Sequence, residues 1–394
     1  MGIVTLVVWL GSACSNAGPM ARPPTTPAPT PGSPASSGSP PGPTTAADCV
    51  RQVFDSLTDQ QRVGQLFVIG LAHDRLGTVE TGAIRASHFG SVTFVVTTAE
   101  GAASVKETTD AVQALAPAST NGVGFFVAAN QEGGKIQALR GPGFSAIPSA
   151  VEQGGLDPST LSVDAAAWAR ELLAAGVNMD FAPVMDVVPP GTDAQNQPIG
   201  VLRREYGHDP DTVGRQGGAF LRGMQRAGVT TSAKHFPGLG RVEGNTDFAA
   251  DVVDDTTTAD DPYLQPFQEA VDAGAPFVML ALATYTRIDP HRQAVFSPTV
   301  IGLLRDDLRF GGVIVSDEIG DAEAVQSIPV GERATRFIAA GGDMIISKTV
   351  PPAVAMAEAL LARIGSDEAF RSRVDEAVIR VLRAKLAAGL LPCG

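Results

Sequence analysis

The sequence predicts an α/β fold, a (β/α)8 barrel of the TIM type in a single domain. Three observations predict it. Eight short runs are apolar on both faces, as buried parallel strands are. Helical patterns fall between them. The alternation continues over roughly 340 residues, more than one open βαβ unit needs. A doubly wound open sheet is the alternative arrangement of the same elements.

In chain order the strand-like runs are GQLFVIGL (64–71), SVTFVVT (91–97), GFFVAAN (124–130) and NMDFAPVMDV (178–187). TTSAKHF (230–236), PFVMLALA (276–283), GVIVSDEI (312–319) and GDMIISK (342–348) complete the set. Intervening segments such as DPDTVGRQGGAFLRGMQRAG open on Asp-Pro and close on Ala-Gly. Proline fits the first helical turn and glycine the left-handed stop, so these are helix boundaries. SDEAFRSRVDEAVIRVLRAKLAAGL reads as a closing amphipathic helix.

Residues 15–47 are almost all Pro, Ala, Ser, Thr and Gly. Such a stretch buries too little apolar area to fold and acts as a semi-extended spacer. Ahead of it, the apolar run Ile3–Leu10 leads through Gly11, Ser12 and Ala13 to Cys14. That order reads as residues 1–14 being a lipoprotein signal segment, with Cys14 lipidated, although Gly11 stands where an aliphatic residue is usual. The expectation is an exported protein facing the cell wall, touching the membrane through its lipid anchor alone. Residues 48–394 then form the catalytic barrel, expected as a monomer. Export places Cys49 and Cys393 in an oxidising compartment, where a disulfide between them is expected; two buried free thiols are the alternative.

Composition narrows the function. The chain has 29 Lys+Arg against 42 Asp+Glu, a net charge of −13. That argues against nucleic acid, whose phosphates need a basic surface. Neither GxGxxG after a first strand nor GxxxxGK[ST] occurs, and no paired-histidine metal spacing is found. No cofactor and no metal are expected.

In a barrel the chemistry sits where strands end. Those ends carry Asn130, Asp186, Lys234, His235 and Asp317, with Glu132, Arg204 and Asp247 in nearby loops. The stretch Thr230–Asp247 stands out: a small-residue strand delivers Lys234 and His235, then Pro237, Gly238 and Gly240 open a loop. Asp317 follows an apolar run in GVIVSDEIG. It reads either as a helix cap or as a carboxylate nucleophile facing a sugar C1. Asp186 either touches ligand or orders the loop behind it. Glu132 is expected to bond backbone amides of its Gly-flanked turn. Glu318 is expected to point to the opposite face of its strand.

KHFPGLG, NQEGGK, NMDFAPVMDV, RREYGHDP and VSDEIG resemble, in order and spacing, motifs of the family 3 glycoside hydrolases, most of all the bacterial β-N-acetylglucosaminidase branch. The resemblance covers roughly residues 50 to 390. It implies a retaining exo-enzyme that releases terminal β-linked N-acetylglucosamine from peptidoglycan fragments through a covalent intermediate on Asp317. Cell-wall amino-sugar oligosaccharides or muropeptides are the implied partners. Asn130, Arg204, Lys234, His235 and Asp186 are the expected sugar-binding set.

Three departures accompany the resemblance. Asn130 stands where the family has aspartate, and Ala138 where it has arginine; Arg140, two residues on, does not substitute. Altered binding of the outer sugar hydroxyls is therefore expected. The branch's loop Asp-x-His falls on Asn245 and Asp247, and the second histidine of its KHFPGHG motif on Leu239. The acid/base is then a carboxylic acid, Asp247, which must keep its proton through burial or the nearby charge of Asp317; Glu243 is the other candidate. The losses also allow a catalytically weak muropeptide-binding protein, and a phosphorylase would use the same nucleophile.

Overall fold

The computed structural model describes residues 45–393. The signal segment, Cys14 and most of the spacer lie outside the described residues. Eight parallel strands close into a barrel: β1 (Phe67–Leu71), β2 (Ser91–Phe94), β3 (Phe126–Ala129), β4 (Met179–Asp180), β5 (Thr230–Phe236), β6 (Phe277–Leu280), β7 (Val313–Glu318) and β8 (Met344–Ser347). Each expected run contains one of them. Each strand pairs with its neighbours in sequence, and β8 returns to pair with β1 through Phe67 and Ile345. Helix-bearing crossovers cover the outer face, so the strands are buried on both sides. In β7 the one residue that is not fully buried is Asp317.

The helix boundaries follow from local chemistry. Asp157 and Asp209 each accept a hydrogen bond from an amide in the first turn of the following helix, ahead of Pro158 and Pro210. Gly228 ends the second of these helices with φ 100°, a backbone angle that a side chain would oppose. The spacer ends earlier than residue 47. Thr45 caps the helix Ala46–Ser56, sharing a reciprocal capping box with Asp48, so residues 45–47 belong to the folded part.

Two strands break register where they end. Between Ala233 and Phe236, β5 uses three steps against two in β6, Val278 to Leu280. Between Val315 and Glu318, β7 likewise takes three steps against two in β8, Met344 to Ile346. A shift of this kind re-aims side chains at the strand tip. Lys234 and His235 lie in the first shift and Asp317 in the second.

The chain ends are tied to the barrel. Cys49 and Cys393 are joined by a disulfide, with their Cα atoms 5.9 Å apart across 344 residues of sequence. Lys385, fully buried on the last helix, donates to Gln65 Oε1 (2.7 Å) and to the carbonyls of Gly90 (2.7 Å) and Gly124 (2.8 Å). Replacing Cys49 and Cys393 together by serine is expected to lower the unfolding free energy by about 2–4 kcal/mol. Urea unfolding without reductant measures it; an unchanged midpoint would mean that the bond adds nothing.

Candidate active site

A cavity of about 370 Å³ opens at the carboxyl ends of the barrel strands. Its wall includes Asn130, Arg204, Lys234, His235, Asp247 and Asp317. Six of the seven residues proposed for catalysis or sugar binding thus share one space. The seventh, Asp186, does not line it.

Glu132 organises the cationic side. Its carboxylate takes two parallel bonds from Arg204, Nε to Oε2 and Nη2 to Oε1, both 2.8 Å. Lys234 Nζ lies 2.6 Å from the same Oε1 and donates to Asn130 Oδ1 at 2.7 Å. Lys234 is 2% exposed and Glu132 5%. Burial pushes the Glu132 carboxyl up, but the adjacent Arg204 and Lys234 charges win and hold it down at about 2. Burial also pulls the Lys234 ammonium below its ordinary value, against the pull of Glu132. The expected role for Glu132, bonding backbone amides of its own turn, is therefore wrong. The ribbon of Gln131–Gly133 and Ile136–Gln137 turns its carboxylate toward two cations distant in sequence, Lys234 on β5 and Arg204 on a loop.

Asp186 sits behind this layer, fully buried in the segment that follows β4. It accepts from His235 Nδ1 at 2.7 Å and from the amides of His235 (3.1 Å) and Leu239 (2.8 Å). As a ligand to sugar it is corrected: it orients His235 and anchors the loop after β5. With Nδ1 given to the carboxylate, Nε2 is left near Arg204 Nη2 at 3.5 Å.

At the tip of β7, Asp317 Oδ1 accepts from the Glu318 amide at 2.8 Å. Glu318 does not point away from the cavity as alternation predicted; it contributes to the same wall. The register shift in β7 removes the simple two-residue alternation. Its carboxylate is engaged by the amides of Gly320, Asp321, Ala322 and Lys348, at 2.6 to 3.0 Å. Burial raises its proton affinity, and those amides oppose the rise. Glu318 thus ties the loop after β7 to the end of β8 and leaves Asp317 as the presented carboxylate.

Residues 58–384 match the Glycosyl hydrolase family 3 N terminal domain. The chain belongs to this family. A β-hexosaminidase of Stenotrophomonas maltophilia is 34% identical over 259 residues, covering 62% of this chain and 72% of the relative. The crystal structure of a β-N-acetylhexosaminidase from Beutenbergia cavernae superposes with a TM-score of 0.82 at 46% identity, covering 84% of this chain and 99% of that one. A family 3 β-N-acetylglucosaminidase from a Paenibacillus species gives a TM-score of 0.77 at 29% identity, over 85% of this chain and 63% of that one.

Within this family 3 barrel, Asp247 reaches the cavity on the loop after β5 and is 35% exposed. Its amide donates to Asn245 Oδ1 at 2.9 Å. The neighbour expected to help it hold a proton was a carboxylate. The neighbour found is Lys348, whose Nζ lies 3.1 Å from Asp247 Oδ2. Burial lowers the Lys348 ammonium, while Asp247 and then Asp317 raise it, and the carboxylates prevail. Glu243 is exposed and does not line the cavity. Leu239 and Ala138 do line it, so both departures from the family pattern lie at the site itself. Arg140 instead donates to the carbonyls of Gln137 (3.0 Å) and Gly134 (2.8 Å), closing the ribbon.

Lys348 and Asp180 were not foreseen. Lys348 ends GDMIISK, so a complete reading of strand tips would have included it. Asp180 lies under Glu132 and Lys234; burial pushes its carboxyl up to about 7, against one hydrogen bond from the Gln131 amide at 2.9 Å.

Glu132→Gln leaves the buried Lys234 and the partly buried Arg204 without their shared anion and is expected to destabilise the fold by about 3–5 kcal/mol. The wild-type contribution has a definite pH dependence. The folded carboxyl titrates at about 2 against an ordinary 4.5, so the native state binds fewer protons than the unfolded chain between these values. That stability is complete above the ordinary value and fades as pH falls toward the folded one. Urea unfolding at about pH 5 and about pH 3 should show a smaller acid loss in Glu132→Gln than in wild type; equal losses would contradict it.

Proposed function

We propose that this family 3 glycoside hydrolase is a retaining exo-β-N-acetylglucosaminidase. The observation that carries the reading is the placement of Asp317, whose carboxylate is the less engaged of the two that β7 brings to the cavity, in one space with Lys234, His235, Arg204 and Asn130. The hexosaminidase and N-acetylglucosaminidase names of the relatives support the choice of sugar.

In this reading the terminal sugar lies with its hydroxyls against Asn130, Lys234, His235 and Arg204, which fix its ring over Asp317. An Asp317 oxygen forms a bond to C1 as the bond from C1 to the leaving oxygen breaks. Asp247 gives that oxygen its proton. It then takes a proton from water, whose oxygen attacks C1 and releases Asp317. Two inversions at one carbon give net retention.

The natural substrates proposed are amino-sugar fragments of peptidoglycan. In this reading the enzyme works as a monomer at the cell wall, a location supported by the sequence signs of export, a lipid anchor at Cys14 and a proline-rich spacer. No cofactor enters the mechanism.

The test uses two leaving groups. Wild type is expected to release nitrophenol from an aryl N-acetyl-β-glucosaminide without dependence on inorganic phosphate, and Asp317→Asn to lose that activity. Asp247→Asn should slow a disaccharide substrate by about 100-fold or more and the activated aryl glycoside far less. Equal slowing of both would remove Asp247 from the acid/base role.

A further inference from the structure

The wall of the cavity farthest from Asp317 differs in character from the rest. In the closed barrel β3 lies four strands from β7 in either direction, directly across the ring. Asn130 follows β3, and its carbonyl accepts from the Ala138 amide at 2.9 Å. The segment after β2 joins them: the Thr98 amide donates to the Ala138 carbonyl at 2.9 Å. These pairings bring three apolar side chains, Val96, Ile136 and Ala138, to the cavity wall beside Asn130, and Val96 is 45% exposed.

We propose that this far wall binds an acyl ester on the C6 oxygen of the terminal sugar, so that the enzyme accepts O-acylated N-acetylglucosamine. The orientation follows from where C1 must be. Asp317 attacks C1, and Lys234 and Asn130 hold ring hydroxyls, so the ring extends from β7 toward β3. In a six-membered ring C4 stands opposite C1, and C6 projects from C5 beside it. A group carried on the C6 oxygen therefore arrives at the β3 end, against Ala138 and its apolar neighbours.

An ester suits this wall in two ways. Its oxygens only accept hydrogen bonds, whereas a hydroxyl also has a proton to donate. Asn130 Oδ1 already accepts from Lys234 Nζ at 2.7 Å, and an ammonium has donors only, so the free end of the Asn130 amide is its NH2 group. The carboxylates that line the cavity, Asp247, Asp317 and Glu318, belong to β7 and the loop after β5. Gln137, on the ribbon with Ala138, has its side chain bonded to the Leu139 and Ser145 carbonyls and the Ile147 amide. The acyl methyl, for its part, leaves water for apolar side chains, which is favourable in proportion to the area covered. A single exposed valine is ordinary on a protein surface; beside Ile136 and Ala138 on a cavity wall it forms a patch placed for a ligand. The small side chain of Ala138 leaves the room that the acyl group takes.

This inference rests on the glycosidase reading, and binding tests it separately from turnover. The probes are three methyl β-thioglycosides of N-acetylglucosamine, which resist cleavage: the parent, its 6-O-acetyl ester and its 6-O-carbamoyl analogue. The carbamoyl group has nearly the shape of acetyl, with a polar NH2 in place of the methyl. Calorimetric titration of the full-length protein should show the acetyl ester binding about fivefold more tightly than the parent, and the carbamoyl analogue no more tightly than the parent. Ala138→Arg should bring the acetyl-to-parent ratio to one or below, and Val96→Asn should reduce it. A wild-type ratio of one or less, a carbamoyl analogue that matches the acetyl ester, a ratio that survives both substitutions, or no binding of any probe overturns the assignment. Failure of the glycosidase reading looks different: the acetyl ester keeps its advantage, yet the aryl N-acetyl-β-glucosaminide is not hydrolysed.

Discussion

Glu132 is the charge on which the site depends. Two cations, Arg204 from a loop and Lys234 from β5, meet on one carboxylate almost sealed from water. Neither would sit in that layer alone, because an unpaired buried charge costs several kcal/mol in lost hydration. Paired, they are held in place on the cavity wall, with Arg204 Nη1 bound in addition to the Pro198 carbonyl at 2.8 Å. Lys234 passes the order on to Asn130, and Arg204 passes it on to His235. Asp186 completes the layer from behind by holding the ring of His235. A sugar entering the cavity thus meets donors already fixed in place, and little conformational entropy remains to be lost on binding.

The anionic side is built by a different device. Alternation along a strand would bury every second side chain in the barrel and turn the rest outward. The register shifts at the tips of β5 and β7 break that pattern where the chemistry needs adjacent residues on one wall. Lys234 and His235 both line the cavity, and so do Asp317 and Glu318. Within the second pair the labour divides by hydrogen bonding. Backbone amides saturate Glu318, while Asp317 accepts one and keeps the rest of its carboxylate for the ligand. Which of the two carboxylates is free to meet a ligand is set by what its neighbour is bonded to.

Much of this was legible in the sequence because it depends on local patterns. Buried parallel strands leave long apolar runs, and all eight could be found. Polar residues at the ends of those runs mark the open end of the barrel, which located Asn130, Lys234, His235 and Asp317. What escaped depends on partners far apart in the chain. Glu132 beside two glycines looks like a turn residue until Arg204, 72 positions away, is brought against it. Asp186 looks like any strand-end carboxylate, and the histidine that claims it belongs to the next strand. Lys348, 101 positions from Asp247, announces no pairing. The position of Glu318 was misjudged because a register shift in a sheet has no signature in one strand's sequence.

The departures from the family pattern fall on the wall of the cavity and not in its supporting layer. Asn130 takes a bond from Lys234 in place of an ion pair, and Ala138 opens space beside it. Asp247 occupies the place of the loop histidine and brings Lys348 as its counter-charge. In the proposed mechanism these changes alter what the site recognises and how the proton is delivered, while Asp317 remains the attacking carboxylate. The most direct test of that claim is to incubate the enzyme with a slow 2-fluoro glycosyl donor and map the labelled peptide by mass spectrometry. The account predicts one added sugar, attached to Asp317. A sugar found on Asp247 or on any other side chain, or hydrolysis that proceeds with no adduct and with inversion at C1, would contradict it.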